Sequence, residues 1–188
     1  MPTRVADTYR RRLREVALEQ YGYVTARDAA ELGIPAVELG KIGSRGGLRH
    51  IAYGLWRFDD ISPTERDQFM EAVLRGGPDA FLVMDAVLAL YELAQVNPRR
   101  IRVGVARRTR VKAPDVFEFI EQKVPRAERT VHEGIPTTTV ARAIEDCRPL
   151  VMGDRLAAAV EQGWRRGLLD RAERDRLARW LAGDSTDA

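Results

Sequence analysis

Gly22-Tyr23-Val24-Thr25-Ala26-Arg27-Asp28-Ala29-Ala30-Glu31-Leu32-Gly33-Ile34-Pro35 leads on to Gly46-Gly47-Leu48-Arg49-His50-Ile51-Ala52-Tyr53-Gly54-Leu55-Trp56-Arg57-Phe58. Thr25 followed by Asp28 is a helix start: a side-chain oxygen takes an orphan N–H, and an acid sits in the first turn. Gly33 closes that short, Ala-rich helix, and Pro35 stands where a second one begins. Gly46-Gly47 ends the second helix. Two apolar-alternating segments follow, with Tyr53-Gly54 at the turn between them. Helix, tight turn, helix and hairpin is the outline of a winged DNA-binding domain.

The flanking sequence extends this outline. Thr3 to Tyr21 reads as a helix whose stripe is Val5, Tyr9, Leu13, Val16 and Ala17, with Arg10, Arg11, Arg12 and Arg14 mostly off it. The helix Pro35 to Ser44 is the expected recognition helix. Val37, Leu39 and Ile42 are expected to face its core, leaving Glu38, Lys41, Ser44 and Arg45 for a groove. Gly40 and Gly43 each weaken it by roughly 1 kcal/mol against alanine. In the hairpin, Arg49 and Arg57 are candidates for phosphate or minor-groove contact, since a guanidinium fork donates two hydrogen bonds at once. His50 reads as a surface residue.

Asp59-Asp60-Ile61-Ser62-Pro63 marks a domain junction. Ser62, Pro63 and Glu65 spell N-cap, first helical residue and third-position acid, predicting a helix to about Arg75. Ala80 to Tyr91 is almost wholly apolar and reads as a short buried strand or turn, then a core helix from Asp85, with Asp85 as its N-cap. Ile101, Val103 and Val105 alternate as a strand, and so do Phe117 and Phe119. A further short strand runs from Thr130 to Glu133. Gly134-Ile135-Pro136 then reads as a turn, leading through Thr137-Thr138-Thr139 into a helix ending near Cys147. Val151–Arg166 and Asp170–Leu181 read as amphipathic helices, with Leu156, Val160 and Trp164 on one face of the first. The expected fold class is α+β: a winged helix-turn-helix over residues 1–60, and a mostly helical domain with a small β-sheet over residues 61–188.

The net charge of +3 hides an uneven distribution. Residues 1–58 carry ten Lys/Arg against six Asp/Glu, residues 59–94 two against eight, and residues 95–130 ten against four. A basic head with an acidic stretch behind it fits a nucleic-acid contact on the first module. The basic loop Arg99 to Lys112 offers Arg107, Arg108, Arg110 and Lys112 to an acidic partner protein or to nucleic acid; the bland alternative is a solvated loop. No apolar run is long enough to span a bilayer, and no secretory signal pattern is present, so no membrane partner is expected. The single cysteine, Cys147, excludes an internal disulfide and fits a reducing cytoplasm.

Catalytic chemistry is thin. Two histidines and one cysteine cannot build a Cys/His zinc cluster. There is no phosphate-binding Gly-Lys-Ser/Thr loop, no nucleophile elbow and no dinucleotide fingerprint. Cys147, among apolar helix residues, reads as structural. Pro114-Asp115 followed by Glu121-Gln122-Lys123 matches the order of residues in metal-dependent nucleases, where an Asp and a Glu hold the metal and a Lys assists the water. Too few residues separate Asp115 from Glu121 for two strands and a turn. No catalytic residue, metal or cofactor is expected.

Three segments carry a resemblance. Gly22-Tyr23-Val24-Thr25 through Tyr53-Gly54-Leu55-Trp56 resembles the N-terminal winged helix of AbiEi-type antitoxins, from the bacterial abortive-infection toxin–antitoxin group. Gly77-Pro78-Asp79-Ala80 with Asp85-Ala86-Val87-Leu88-Ala89-Leu90-Tyr91 resembles the opening of that family's second domain. Gly134-Ile135-Pro136-Thr137-Thr138-Thr139-Val140-Ala141-Arg142-Ala143-Ile144-Glu145-Asp146 resembles its Gly-Ile-Pro-x-Thr … Ala-Arg-Thr … Asp segment. The resemblance implies an antitoxin that neutralises a nucleotidyltransferase-like toxin and represses its own operon by binding promoter DNA, in phage defence. By position it places Lys41, Ser44 and Arg45 in the groove and Arg49 and Arg57 in the wing. Pro35 to Ser44 is less basic than that family's third helix, which shifts affinity toward Arg10, Arg11, Arg12 and Arg14. Two rival readings remain: a stand-alone transcriptional regulator whose second domain binds a small ligand or dimerises, and the metal-dependent nuclease.

Overall fold

The computed structural model describes residues 3–107 and 113–183. Helices and strands are mixed in an α+β chain, and its contacts divide it into two compact units, Met1–Arg75 and Gly76–Ala188.

Unit 1 starts with α1 (Thr3–Glu19), then β1 (Tyr23–Thr25), α2 (Ala26–Glu31), α3 (Ala36–Ser44), β2 (Leu48–Ala52), β3 (Leu55–Phe58) and α4 (Asp67–Gly76, whose last residue lies past the boundary). The helix start at Thr25 forms as its residues dictate. Thr25 Oγ1 accepts from the Asp28 N–H at 3.1 Å, and Asp28 Oδ2 accepts from the Thr25 N–H at 2.7 Å, a reciprocal capping box. Gly33, at φ +68°, turns the chain, and Arg12 Nη2 donates to Leu32 O at 2.8 Å, occupying a carbonyl at the end of α2. So Arg12 is committed to a helix end.

The strands form an antiparallel sheet in the order β1-β3-β2. Leu13, Ala17, Val24, Ala29, Leu39, Ile42, Leu48 and Phe58 make the core beneath it. Val37, expected in that core, is 62% exposed, because only one side of a nine-residue helix can be covered and Leu39 and Ile42 occupy it. The other face of the sheet carries a row across three strands: Tyr23 opposite Arg57, and Arg57 opposite Arg49. Part of this row lies under α4. Tyr23 OH donates to Glu71 Oε2 at 2.8 Å, and Arg57 Nη2 to Asp67 Oδ2 at 2.7 Å. These bonds hold α4 in unit 1, so the compact unit runs past the expected junction at residue 60.

Asp67 also corrects the expected helix start. Its Oδ1 accepts from both the N–H and the hydroxyl of Thr64, at 2.8 Å each, so the helix is entered from Thr64 rather than capped by Ser62. Tyr23 gives a pH prediction. Burial first, and then the Glu71 hydrogen bond, push its phenol well above the ordinary value of 10.0. The unfolded chain would release that proton near the ordinary value while the folded one retains it. Stability is therefore expected to be unaffected below about pH 10 and to fall above it. Urea melts at rising alkaline pH should show a smaller loss in Tyr23→Phe, and equal losses in both proteins would remove Tyr23 as the cause.

Unit 2 contains β4 (Phe81–Leu82), α5 (Asp85–Leu90), β5 (Ile101–Val105), β6 (Phe117–Glu121), β7 (Arg129–His132), β8 (Ile135–Thr138), α6 (Val140–Asp146), α7 (Gly153–Arg165) and α8 (Arg171–Gly183). Its five-stranded sheet has the order β6-β5-β4-β8-β7, with β5·β6 and β4·β8 parallel and the other pairs antiparallel. Strand β8 replaces the expected turn at Gly134-Ile135-Pro136. Pro136 lacks an N–H and argues against an inner strand. Yet β8 lies between β4 and β7, with Pro136 opposite Val131 and Ile135, Thr137 and Thr138 buried.

The resemblance segment Gly134–Asp146 has a structural role in unit 2. Thr139 Oγ1 caps α6 by accepting from the Arg142 N–H. Arg142 then bridges Asp146 Oδ1 at 2.9 Å and Glu128 Oε2 at 2.7 Å, while Gln122 Nε2 donates to Asp146 Oδ2 at 2.9 Å. Asp85 is not the N-cap of α5; that position is Met84, at φ +55°. Asp85 is instead buried and pairs with Arg102 at 2.5 Å. Cys147 is fully buried, and burial pushes its thiol far up, which suits an inert core residue. Trp164, expected on the inner face of α7, is 41% exposed, with the Arg174 guanidinium 4.5 Å above its ring.

Candidate functional site

The surface expected to meet nucleic acid is built from α1, α3 and the β2–β3 hairpin of unit 1. Each expected residue is held by its local structure. In α3, Lys41 Nζ pairs with Glu38 Oε1 at 2.7 Å, one turn back along the helix. Ser44 Oγ donates to the Lys41 carbonyl at 2.9 Å, the back-bonding of a helical serine. Arg45, at the C-cap, is exposed and has no acidic partner among the described residues. Exposed Val37 and Gly40 lie on the same helix.

In the hairpin, Arg49 reaches Asp59 Oδ1 at 3.3 Å, with both side chains more than half exposed. His50 packs edge-on to Trp56, with 5.4 Å between ring centres, and is exposed. Tyr53, at the hairpin turn, is fully exposed. Arg57 is the clear correction. It is 6% exposed and donates to Phe58 O, Ile61 O and Asp67 Oδ2, so it holds the fold and cannot reach a phosphate. The α4 side chains cover this end of the strand row, and no pattern local to β3 reports that.

On α1, Arg14 pairs with Asp60 at 2.9 Å, and this hydrogen bond holds the Asp60 carboxyl below the usual carboxylate range. Arg11 is exposed and lies 3.8 Å from Glu15, one turn on. Arg10 has a packing role. Its Nη1 donates to Gly46 O at 2.9 Å, and its guanidinium lies 5.4 Å over the Phe58 ring. A Cβ on Gly47, already at φ +85°, would fall 2.6 Å from Arg10 Nη2. The Gly46-Gly47 pair thus lets α1 seat an arginine against the hairpin base.

Exposed pairs such as Lys41–Glu38, Arg49–Asp59 and Arg14–Asp60 are worth about 0–1 kcal/mol each, so a phosphate can outcompete the carboxylate. The cost is a lower net positive field than the basic count suggests. Of the basic loop, Arg107 is exposed in unit 2, while Arg108, Arg110 and Lys112 lie outside the described residues. The nuclease-like pair fails on geometry. Asp115 precedes β6 and Glu121 ends it, so the strand length of roughly 3.3 Å per residue separates them too far to share one ion. Among the described residues no group of His, Cys, Asp or Glu side chains is arranged to hold a metal, and no helix is long and apolar enough to cross a membrane. No protein-family model matches the chain, and no curated protein matches it significantly.

Proposed function

We propose that this chain is a DNA-binding antitoxin that represses its own promoter and neutralises a nucleotidyltransferase-like toxin. In this reading unit 1 is a winged helix-turn-helix. Helix α3 enters the major groove through Lys41, Ser44 and Arg45. The β2–β3 hairpin is the wing and contributes Arg49, while Arg11 and Arg14 of α1 reach the flanking phosphates. Arg57 is excluded from the contact set and Arg10 supports the wing base. The observation that carries the DNA reading is the element order of unit 1, helix–strand–helix–helix–strand–strand, with an exposed third helix followed by a hairpin tipped by Tyr53. The antitoxin reading rests on the three segments that resemble the AbiEi-type family. Cytoplasmic location follows from that role.

Lys41→Ala with Arg45→Ala is expected to weaken binding to the chain's own promoter about tenfold or more and to reduce the slope of log affinity on log salt by about 1–2. Fluorescence anisotropy across a salt series measures both. Unchanged affinity would remove α3 from the interface. Co-expression with the neighbouring gene product, scored for growth rescue, tests the antitoxin half separately.

A further inference from the structure

Helix α3 contains two glycines, and only one of them answers to the fold. A Cβ on Gly43 would fall 2.9 Å from the Leu48 carbonyl oxygen, so the chain's own hairpin requires that residue. A Cβ on Gly40 would meet nothing within 4 Å. Gly40 is exposed in mid-helix, where glycine costs stability against alanine, and no packing contact or left-handed backbone requires it. We propose that Gly40 lets the α3 backbone approach the base edges of the major groove closely, and that Val37 beside it contacts thymine 5-methyl groups, so that the DNA this chain selects carries thymines at that place. The inference rests on the DNA reading of unit 1 and adds what the helix reads.

Three features of α3 carry it. The first is the face. At about 100° per residue, Val37, Gly40, Lys41 and Ser44 fall within an arc of roughly 100° opposite the buried Leu39 and Ile42, and all four are exposed. The second is what this face lacks. The side chains that read bases by hydrogen bonds are Arg and Lys for guanine, Asn and Gln for adenine, and Asp and Glu for cytosine. Of these the face holds only Lys41, whose Nζ lies 2.7 Å from Glu38 Oε1, and the Ser44 hydroxyl gives its proton to the Lys41 carbonyl. An apolar side chain reads one base feature, the thymine methyl, and Val37 is the side chain on this face suited to it.

The third is the gap at Gly40. A side chain there would stand one turn from both Val37 and Ser44 and hold the helix off the bases, out of reach of a side chain as short as valine. Lys41 at one margin of the face and the exposed Arg45 at its end supply cations to the phosphates on either side, which suits a polyanion pressed against the gap.

The test uses the full chain and its own promoter, amplified with either thymidine or deoxyuridine triphosphate. The two duplexes share their phosphates and hydrogen-bonding groups and differ in every thymine methyl. Fluorescence anisotropy is expected to show binding to the thymine duplex tighter by about fivefold or more. Val37→Ala should bind the thymine duplex more weakly and lose most of that discrimination, with an unchanged thermal midpoint because the side chain is exposed. Gly40→Ala is expected to raise the thermal midpoint yet weaken promoter binding about tenfold, with binding to an unrelated duplex held within about twofold, a combination that a merely structural glycine would not give. Equal affinity of the parent for the two duplexes, a uracil penalty just as large in Val37→Ala, or Gly40→Ala bound as tightly as the parent would each overturn the proposal. If any of these accompanies weakened promoter binding in Lys41→Ala with Arg45→Ala, the DNA reading stands and this inference alone fails. A parent that does not distinguish its promoter from the unrelated duplex ends both.

Discussion

Asp67→Ala is expected to lower the stability of unit 1 by about 3–5 kcal/mol, the cost of removing one partner from a buried ion pair. The side chains of Arg57 and Asp67 are 7% and 12% exposed. Arg57 reaches two carbonyls, but Asp67 supplies its only compensating carboxylate among the described residues. Without it a guanidinium stays buried beside the Tyr23 ring, whose centre is 5.7 Å away. The same carboxylate accepts both donors of Thr64 at the entry to α4, so the deletion also frays that helix. Trp56 is the one tryptophan of residues 1–75, and Trp164 and Trp180 lie in unit 2. A urea transition followed through Trp56 in a Trp164→Phe/Trp180→Phe background therefore reads unit 1 alone. A midpoint within about 1 kcal/mol of the parent would mean that the pair is solvated and that α4 is held by other contacts.

Phe81→Ala is expected to cost unit 2 about 3–5 kcal/mol, the usual penalty for deleting a buried aromatic ring. Phe81 is 2% exposed on a central strand of the sheet and packs with Val83 and Val124. The Arg129 guanidinium lies 4.1 Å from its ring centre, covering the ring from the far side. Gly104, its register partner on β5, has no side chain because the ring occupies that space. A Cβ there would fall 2.7 Å from Phe81 Cε2 and 2.8 Å from Val83 Cγ1. Gly104→Ala should then cost about 1–3 kcal/mol through overpacking. The two substitutions compete for one volume, so the double variant should be less destabilised than the sum of the singles. Thermal or urea unfolding of the four proteins completes the cycle. Additivity within about 0.5 kcal/mol would show that the glycine answers to Val83 or to backbone conformation rather than to the ring.

How far these features were legible varies with the range of the interaction behind them. Thr25 and Asp28 cap α2 as read, because a capping box is closed by residues three apart. Thr139 caps α6 by a single bond from the Arg142 N–H, also three residues on, without a reciprocal acid. The Ser62 reading failed because Thr64-Glu65-Arg66-Asp67 offers a second box, and Arg57 holds the carboxylate that decides between them. Strand β8 was hidden because Pro136 is a local argument against a strand, while its place in the sheet is fixed by β4 and β7, distant in sequence. Asp85 reads as a helix cap until Arg102, seventeen residues away, is seen to hold it.

By itself the sequence determined helices α1 to α3 of unit 1, the glycine pair at the hairpin base and the β2–β3 hairpin with its alternation, while β1 appears only through its pairing with β3. Alternation and register put Arg49 and Arg57 side by side on one face of the sheet, and nothing nearby distinguishes them. Tertiary structure does. Helix α4 brings Asp67 over Arg57, where burial makes the ion pair necessary, and leaves Arg49 at the edge with, among the described residues, only the exposed Asp59 as its acid. Two like charges facing each other across a ladder repel unless each has its own acid. Which acid is buried and which remains open to solvent is set by what packs above the sheet, and that decides which arginine holds the fold and which is free to meet a partner.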